Sequence, residues 1–459
     1  PYYRAYLPDV LREIIDRYQP EGFTDNSWTG MGRHWICHCP HCVDKFGSEV
    51  GLDLPREVDW TDPVYRQWVK WSYGCRVEIW ELNNHVCHEH GGPDCLWLGM
   101  INGDPIYSHL SFCDLKEVGA RAEMLMSDQQ SRKVTGFEQN AVSGKLLHGV
   151  LCSGTGQAGD RVIPESMATY VRGEQAFRKA SNPPLETRKW MVEGYAGGIS
   201  PWWHHIGAYQ WDRRQFHTAE PLMRWHEANE QYLYHRRPVA NVGLLWSHEN
   251  IDFYGRDDSQ ARVLYPWRGY TTALTRARIP YLPVHADHID REAEQLDVLI
   301  LPDLGAMSDA QCRAVRAFVE GGGSLVASAN SGRFDEWGEP RAVPALDDLF
   351  GVRRTDRYAG VDGTHSASWE VQSGHTYLRL PPDVAARHPI LAGWDETDLL
   401  AFGGTLEQVE LGSGAEVVAT LVPPFPIYPP EFSWMRAPRS DVPAIVARRH
   451  PAGGRLVYL

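Results

Sequence analysis

The sequence predicts an α/β protein in which part of a (β/α)8 TIM barrel is followed by a flavodoxin-like α/β domain. Before residue 238, helical patterns alternate with short apolar runs, which implies a parallel sheet. Polar residues follow these runs, as they do at the catalytic face of a barrel. After residue 237, short apolar strands alternate with single helices, which is typical of a doubly wound sheet. We therefore expect domains at 1–237 and 238–459.

The elements of the first domain follow from hydrophobic periodicity. Apolar residues at helical spacing predict helices over 4–19 and 63–90. Apolar runs predict five strands, at 21–26, 95–103, 122–132, 145–154 and 196–209. A barrel needs eight strands, so its first three would precede residue 1. We therefore expect both ends of the chain to be cut from a longer protein, which leaves localisation unknown, with the cytoplasm favoured.

The second domain has a more regular pattern. It predicts strands at 239–247, 282–286, 297–304 and 324–328 and helices at 268–279 and 308–323, the second helix ending at a glycine run. A further strand-like piece is found at 415–422.

Composition restricts the partners. The net charge is −14 and no basic stripe interrupts it, which argues against nucleic acid. No run of 18 apolar residues is present, so no membrane span is predicted. The 18 Trp, 20 Tyr and 20 His residues fit either an aromatic-rich core or a sugar cleft, in which indoles stack on pyranose rings.

The stretch "EGFTDNSWTGMGRHWICHCPHC" carries a family resemblance. Its Cys37, Cys39 and Cys42 look like the zinc-bearing loop of family 42 β-galactosidases. "EGFTDN" before "CHCPHC" looks closer to the hypothetical glycosyl hydrolase 6 family, and is also similar to α-L-fucosidase-type barrels. The chain from Val239 onward is similar to the β-galactosidase trimerisation domain, which has an amidotransferase-like sheet.

The resemblance implies a glycosidase, exo-acting and retaining, that cleaves a terminal galactoside- or fucoside-like sugar. It also implies a homo-oligomer, dimer or trimer, without an organic cofactor. At two places this sequence departs from the family pattern, and these departures limit which catalytic roles can be transferred to it. Ser27 stands where family 42 has its acid/base Glu, so that mechanism does not carry over. Ala329 and Asn330 stand near the position of the amidotransferase nucleophile, so we expect the second domain to be non-catalytic.

Glycoside hydrolysis requires two carboxyl groups. The fucosidase-like match assigns the nucleophile to Asp25, at the end of the first predicted strand. Its acid/base partner is Glu138 in "TGFEQNAVSGK" or Asp128 in "MSDQQSR", with Glu138 slightly preferred. Both Asp residues have structural alternatives to a catalytic role: Asp25 could cap a turn, and Asp128 could pair with Arg132.

Polar and aromatic residues near these carboxylates are the candidates for sugar binding. They are Asn26, Trp28, His34, Gln129, Gln130, Arg132, Gln139, Asn140, His148, Trp202, Trp203, His204 and His205. Amides suit the recognition of several hydroxyl groups. The Trp-Trp-His-His run could equally be a packed core cluster.

The three clustered cysteines suggest a structural zinc site, because zinc takes four ligands and closely spaced thiolates close its coordination sphere. The fourth ligand could be His34, His38, His41, Cys75 or Cys87, or could lie upstream of this chain. Three buried free thiols, or a metal-dependent hydrolase centred on 34–42, are the alternatives. A catalytically inactive carbohydrate-binding or scaffold protein of the same fold is the alternative to the enzyme.

Overall fold

The computed structural model describes residues 2–24, 32–101, 103–104, 109–128, 136, 138–151, 164–168, 170–172, 176–204, 212–234, 236–360, 375–402, 404–425, 429–435 and 438–459. The chain forms two compact units. Unit 1 comprises Pro1–Ala240 and Ile251–Glu292, and unit 2 comprises Asn241–Asn250 and Ala293–Leu459. None of the described helices combines the length and apolar character needed to cross a membrane.

Unit 1 alternates strands and helices. Its strands are β1 Gly22–Thr24, β2 Leu96–Ile101, β3 Leu125–Ser127, β4 Pro164–Ala168, β5 Tyr170–Arg172, β6 Ala176–Ser181, β7 Ser200–His204 and, in the returning segment, β9 Tyr281–His285. Its helices are α1 Leu7–Tyr18, α2 Pro40–Val50, α3 Pro63–Gly91, α4 Leu115–Arg121, α5 Gln139–Leu151, α6 Pro184–Ala196, α7 Arg214–Leu233, α8 Tyr265–Arg276 and α9 Ile289–Glu292.

Five of these strands form a parallel sheet in the order β1-β2-β3-β4-β7. Each strand pairs with the next one along the chain, except that the antiparallel hairpin β5–β6 intervenes before β7. A sheet whose strand order follows the chain is wound in one direction, as in a barrel, whereas a doubly wound sheet reverses its order. The predicted alternation of strands and helices in this region is therefore confirmed.

The two faces of this sheet have different neighbours. A Cβ at Gly99 of β2 would lie 2.1 Å from the Trp80 ring of α3, so that face is covered by helices. On the other face, Thr24 Oγ1 of β1 lies 3.8 Å from Met126 Sδ of β3. Side chains of β1 and β3 thus meet on that second face, which we call the inner face, although β2 lies between the two strands.

One predicted strand is wrong. Residues 145–154 were expected to be extended, but 139–151 form helix α5. Its buried Val142, Leu146 and Leu147 lie at helical spacing. The apolar run was long enough for either structure, and the strand at this place in the sheet is instead β4. Gly149 allows close packing of α5, since a Cβ there would lie 2.7 Å from the Pro283 carbonyl oxygen of β9.

Unit 2 contains three of the four parallel strands predicted for the second domain, and the fourth is β9. Its strands are β8 Val242–Trp246, β10 Val298–Leu301, β11 Ser324–Ala327, β12 Val352–Gly360, β13 His375–Arg379, β14 Leu399–Ala401, β15 Thr405–Leu411, β16 Ala415–Phe425, β17 Pro443–Arg449 and β18 Arg455–Tyr458. Its helices are α10 Asp309–Glu320 and α11 Asp347–Phe350. The strands β8, β10, β11 and β18 are parallel, and β17, β16, β13 and β14 extend the sheet in antiparallel fashion.

Local signals in unit 2 explain its boundaries. Ser308 and Gln311 form a reciprocal capping box at the start of α10. After β11 the chain makes a tight turn in which Ala329 has a φ of 47°, a conformation that is strained for a residue with a side chain. Ala329 itself carries only a methyl group, so it offers no nucleophile at this position.

The division of the chain differs from the expected break at residue 237. The segment Ile251–Glu292 belongs to unit 1 by its contacts. Two interactions explain this: β9 packs on α5, and Asp252 forms a buried ion pair with Arg33. Sequence periodicity reports local structure only, so it gave no sign of this return.

Candidate functional site

The inner face carries a group of polar and aromatic side chains at the carboxyl ends of its strands. Strand β3 ends at Ser127, and the Asp128 amide donates to the Ile101 carbonyl oxygen of β2 at 2.8 Å. In β7, the Trp202 and His204 rings stack with their centroids 5.2 Å apart and an angle of 11° between their planes. Ring stacking places both residues on one face of β7. Asp128, Trp202 and His204 are all partly exposed.

Alternation along β7 separates the two predicted tryptophans. Trp203 packs against the core pair Trp190 and Met191 of α6, on the helix-covered side. Successive residues of a strand point to opposite faces, so Trp202 and Trp203 cannot both line the same site. We therefore leave Trp203 out of the sugar site proposed below. Its position matches the packed-cluster alternative.

Glu138 lies at the start of α5, where its carbonyl oxygen accepts the Val142 amide at 3.0 Å. Its carboxylate folds back toward Gly136, where an added Cβ would lie 3.0 Å from Glu138 Oε2. Gly136 has a φ of 92°, which glycine adopts without strain. The Glu138 carboxylate is partly exposed beside Gly136.

Three other predicted binding residues lie on α5 with structural partners. Asn140 is fully buried and donates through Nδ2 to the Trp190 carbonyl oxygen at 2.8 Å, which ties α5 to α6. Gln139 is buried and donates through Nε2 to Ser143 Oγ at 3.3 Å within the helix. His148 Nε2 lies 3.2 Å from the Arg236 carbonyl oxygen. His148 was expected at a strand end, but it is a helix residue beside Gly198, which precedes β7.

Several predicted residues lie outside the described part of the chain: Asp25, Asn26, Trp28, Gln129, Gln130, Arg132 and His205. Asp25 directly follows Thr24, the last residue of β1. His34 is described and exposed.

A buried charge cluster around Arg33, which follows segment 25–31 in the chain, was not predicted from the sequence. Arg33 and Asp252, 4% and 1% exposed, form an ion pair. Asp252 Oδ1 also accepts from His109 Nδ1 at 2.8 Å, and Arg33 donates to the Tyr73 hydroxyl at 2.9 Å. Burial raises the pKa of Tyr73 well above its usual value, and the Asp252 charge adds to this. Arg33 is thus fixed just after segment 25–31.

The three predicted zinc ligands are close together. The sulfur atoms of Cys37, Cys39 and Cys42 lie within 4.8 Å of one another, and no fourth His, Cys, Asp or Glu joins them within the described residues. Sulfur atoms about 2.3 Å from one tetrahedral zinc ion would lie about 3.8 Å apart, which is within this limit. The donor set therefore fits three positions of a tetrahedral site.

The local structure supports metal binding at these thiols. Cys39 is the N-cap residue of α2, and the nearby backbone N–H of Cys42 lowers the pKa of the Cys39 thiol. Burial raises the pKa of Cys42 to about 12, with a further contribution from the neighbouring Cys39 thiol. A bound cation would stabilise the ionised form of the Cys42 thiol and so offset its raised pKa.

Two of the suggested fourth ligands have other partners. The ring nitrogens of His38 lie 3.1 Å from the carbonyl oxygens of Ile36 and Pro55, so His38 braces the loop. The Cys87 thiol is hydrogen-bonded to the Cys95 thiol. Both residues are thereby poor choices for the fourth ligand.

Comparison with known proteins gives matches in structure but none in sequence. No protein-family model and no curated protein matches the chain in sequence. Solved structures do match over its whole length. The β-galactosidase of Bacillus circulans sp. alkalophilus has a TM-score of 0.74 and 13% identity, and the match covers 100% of this chain and 69% of that chain. The β-galactosidase of Rahnella sp. R3 has a TM-score of 0.68 and 14% identity, and the match covers 100% of this chain and 69% of that chain.

The α-L-fucosidase isoenzyme 2 of Paenibacillus thiaminolyticus is also similar, with a TM-score of 0.63, 16% identity, and coverage of 100% of this chain and 60% of that chain. At identities this low, the structural similarity shows a shared fold. Which reaction the chain performs has to be argued from its own residues.

Proposed function

We propose that this protein is a glycoside hydrolase, exo-acting and retaining, that removes a terminal galactoside- or fucoside-like sugar. The proposal is carried by two strand ends of the parallel sheet: Asp128 follows β3, and the stacked Trp202 and His204 rings lie at the carboxyl end of β7. This is the end at which barrel enzymes place their catalytic residues. The shared fold with β-galactosidases and an α-L-fucosidase supports it.

In the proposed mechanism, Asp25 attacks the anomeric carbon and Glu138 or Asp128 protonates the departing glycosidic oxygen. The same acid/base then removes a proton from the water that hydrolyses the glycosyl-enzyme. Asp25 follows β1 and Asp128 follows β3, and strands two places apart are separated by about 10 Å. Side chains of the two strands meet on the inner face at Thr24 and Met126. The proposal requires that the chain turn after Thr24, so that the Asp25 carboxylate faces the same side.

The remaining groups bind the sugar. Trp202 offers the ring face not covered by His204 to an apolar sugar face. His204 can hydrogen-bond a hydroxyl group, and Asn26, Trp28, Gln129 and Gln130 complete the proposed subsite. Self-association of the chain as a dimer or trimer stays a prediction.

A panel of nitrophenyl glycosides tests the proposal. The purified chain should release nitrophenol from a β-galactoside or an α-L-fucoside, with a β-glucuronide as the charged comparison. The first sugar product seen by NMR should keep the anomeric configuration of the substrate. Binding of sugars without any turnover would instead support the inactive carbohydrate-binding alternative, and inversion would remove the nucleophile role from Asp25.

We further propose that Cys37, Cys39 and Cys42 hold a structural zinc ion, which would fix the loop between β1 and α2. When bound, zinc would supply charge to keep the thiols ionised and a rigid cross-link, without taking part in hydrolysis. We expect about one zinc per chain by elemental analysis and its loss in Cys39→Ser, together with a lower melting temperature.

The matched control is Cys312→Ser, which removes a buried thiol from unit 2 and should leave the metal content unchanged. A Cys75→Ser variant that also loses zinc would identify Cys75 as the fourth ligand. A chain that contains no zinc after preparation in zinc-supplemented medium would contradict this proposal, and the glycosidase proposal would be unaffected.

A further inference from the structure

Unit 1 contains a cavity of about 490 Å³ that is separate from the proposed sugar site. Helix α5, the turn after α6, residues 236–240 and the segment leading into β9 form its walls. Gly198 in this wall lies next to the His148 ring and precedes β7. The cavity is therefore at the amino-terminal end of β7, whereas His204 is at its carboxyl end.

The charge of this cavity is unusual for this chain. Four cationic side chains line it, those of Lys145, Arg236, Arg237 and Arg278, and no Asp or Glu is among its lining residues. The chain as a whole has a net charge of −14. A concentration of positive charge in one concave site of an acidic protein attracts an anion.

Lys145 is the cation best placed to contact a ligand. Its Nζ lies 4.1 Å from the centroid of the Tyr281 ring, which holds the ammonium group against one wall. Burial lowers the pKa of Lys145, and the charge of Glu193, which does not line the cavity, offsets this in part. A bound anion would restore the charge balance that burial disturbs.

Arg236 contributes a fixed charge. Its guanidinium donates to the Tyr195 carbonyl oxygen and, at 3.1 Å, to the Ile199 carbonyl oxygen. These bonds hold the group in the wall, so Arg236 adds electrostatic attraction from a fixed position. The Lys145 ammonium group adds three hydrogen-bond donors.

Apolar side chains line part of the remaining wall of the cavity. Leu282 is 4% exposed, whereas Ile279 and Val239 are 41% and 89% exposed at its edge. An occupant with an apolar part would cover these exposed side chains.

We propose that this cavity binds a small organic anion, whose carboxylate or phosphate group contacts Lys145 and whose apolar part packs against Leu282, Ile279 and Val239. The proposal does not depend on the glycosidase assignment.

Calorimetric titration of the full chain with three probes of similar size tests it: benzoate, phenyl phosphate and benzyl alcohol. At least one anion should bind at least about tenfold more tightly than the neutral alcohol. Lys145→Met should weaken anion binding by at least about tenfold, whereas Lys189→Met, the same change on the exposed surface of α6, should not. Preference between benzoate and phenyl phosphate identifies the anionic group.

The wild-type chain gives an independent result if Lys145→Met fails to fold. Raising the salt concentration should weaken binding of the anion and leave binding of benzyl alcohol unchanged, because salt screens only the charged contact. The proposal is overturned if neither anion binds, if salt has no effect, or if a folded Lys145→Met variant binds the anions as tightly as the wild type.

Discussion

Asp25→Asn is expected to lower turnover by at least about 10³-fold while the chain stays folded. The amide has nearly the same size as the carboxylate, so packing is preserved. It cannot attack the anomeric carbon, so no glycosyl-enzyme forms. Initial rates on the best substrate of the glycoside panel measure the loss, and circular dichroism and the melting temperature check the fold.

The matched control is Asp16→Asn, which makes the same change at an exposed position of α1 and should keep full activity. Glu138→Gln and Asp128→Asn, tested in parallel, separate the two acid/base candidates. Loss of the general acid slows substrates with poor leaving groups far more than activated nitrophenyl substrates. Activity retained in Asp25→Asn would remove that residue from the mechanism and direct the search to the other strand ends.

Asp252→Asn should produce the largest loss of stability, about 3–5 kcal/mol in the free energy of unfolding. The variant leaves the Arg33 guanidinium buried without its counter-ion, in a cluster where Arg33 and Asp252 are 4% and 1% exposed. His109 Nδ1 loses its charged acceptor in the same step. Urea unfolding followed by tryptophan fluorescence measures the change.

An exposed ion pair provides the comparison. Glu410→Gln breaks the Arg353–Glu410 pair, whose side chains are 70% and 52% exposed, and should cost less than about 1 kcal/mol. The double variant Arg33→Met with Asp252→Leu should recover most of the loss, because it removes both buried charges. If Asp252→Asn lowers the free energy of unfolding no more than Glu410→Gln does, the buried pair does not stabilise unit 1.

The two predictions are connected through Arg33. Segment 25–31, which contains Asp25, is followed closely by this buried residue. Besides the ion pair, Arg33 donates through Nε to the His109 carbonyl oxygen at 3.1 Å. The cluster thereby fixes one end of the segment that carries the proposed nucleophile. We therefore expect an Asp252→Asn chain that remains folded to have reduced activity.

What the sequence predicted well depended on local pattern. Helix α3, predicted at 63–90 and found at Pro63–Gly91, combines long helical periodicity with a cap by Asp62, which accepts the Val64 amide at 2.8 Å. The cysteine cluster was predictable because a spacing of two and three residues keeps thiols near one another in any compact loop. The parallel strands of unit 2 were recognisable as short apolar runs between helices.

What the sequence could not show depended on distant residues. The run around Leu146 and Leu147 fits a buried strand as well as a buried helix, and the packing of α5 against α6 and β9 decides between them. Asn140 and Trp203 have side chains that suit a sugar site, but their contacts with Trp190 place them in the core. Nothing near Asp252 in the sequence indicates a partner as remote as Arg33.

The return of Ile251–Glu292 to unit 1 affects how the protein is made. A chain emerging from the ribosome presents β8 of unit 2 before it presents Asp252 and β9. Domains generally fold as units during synthesis, the first one before the next. Here the earlier unit must keep Arg33 without its counter-ion until Asp252 has emerged. Folding of unit 1 is therefore delayed to a point at which synthesis of unit 2 has already begun.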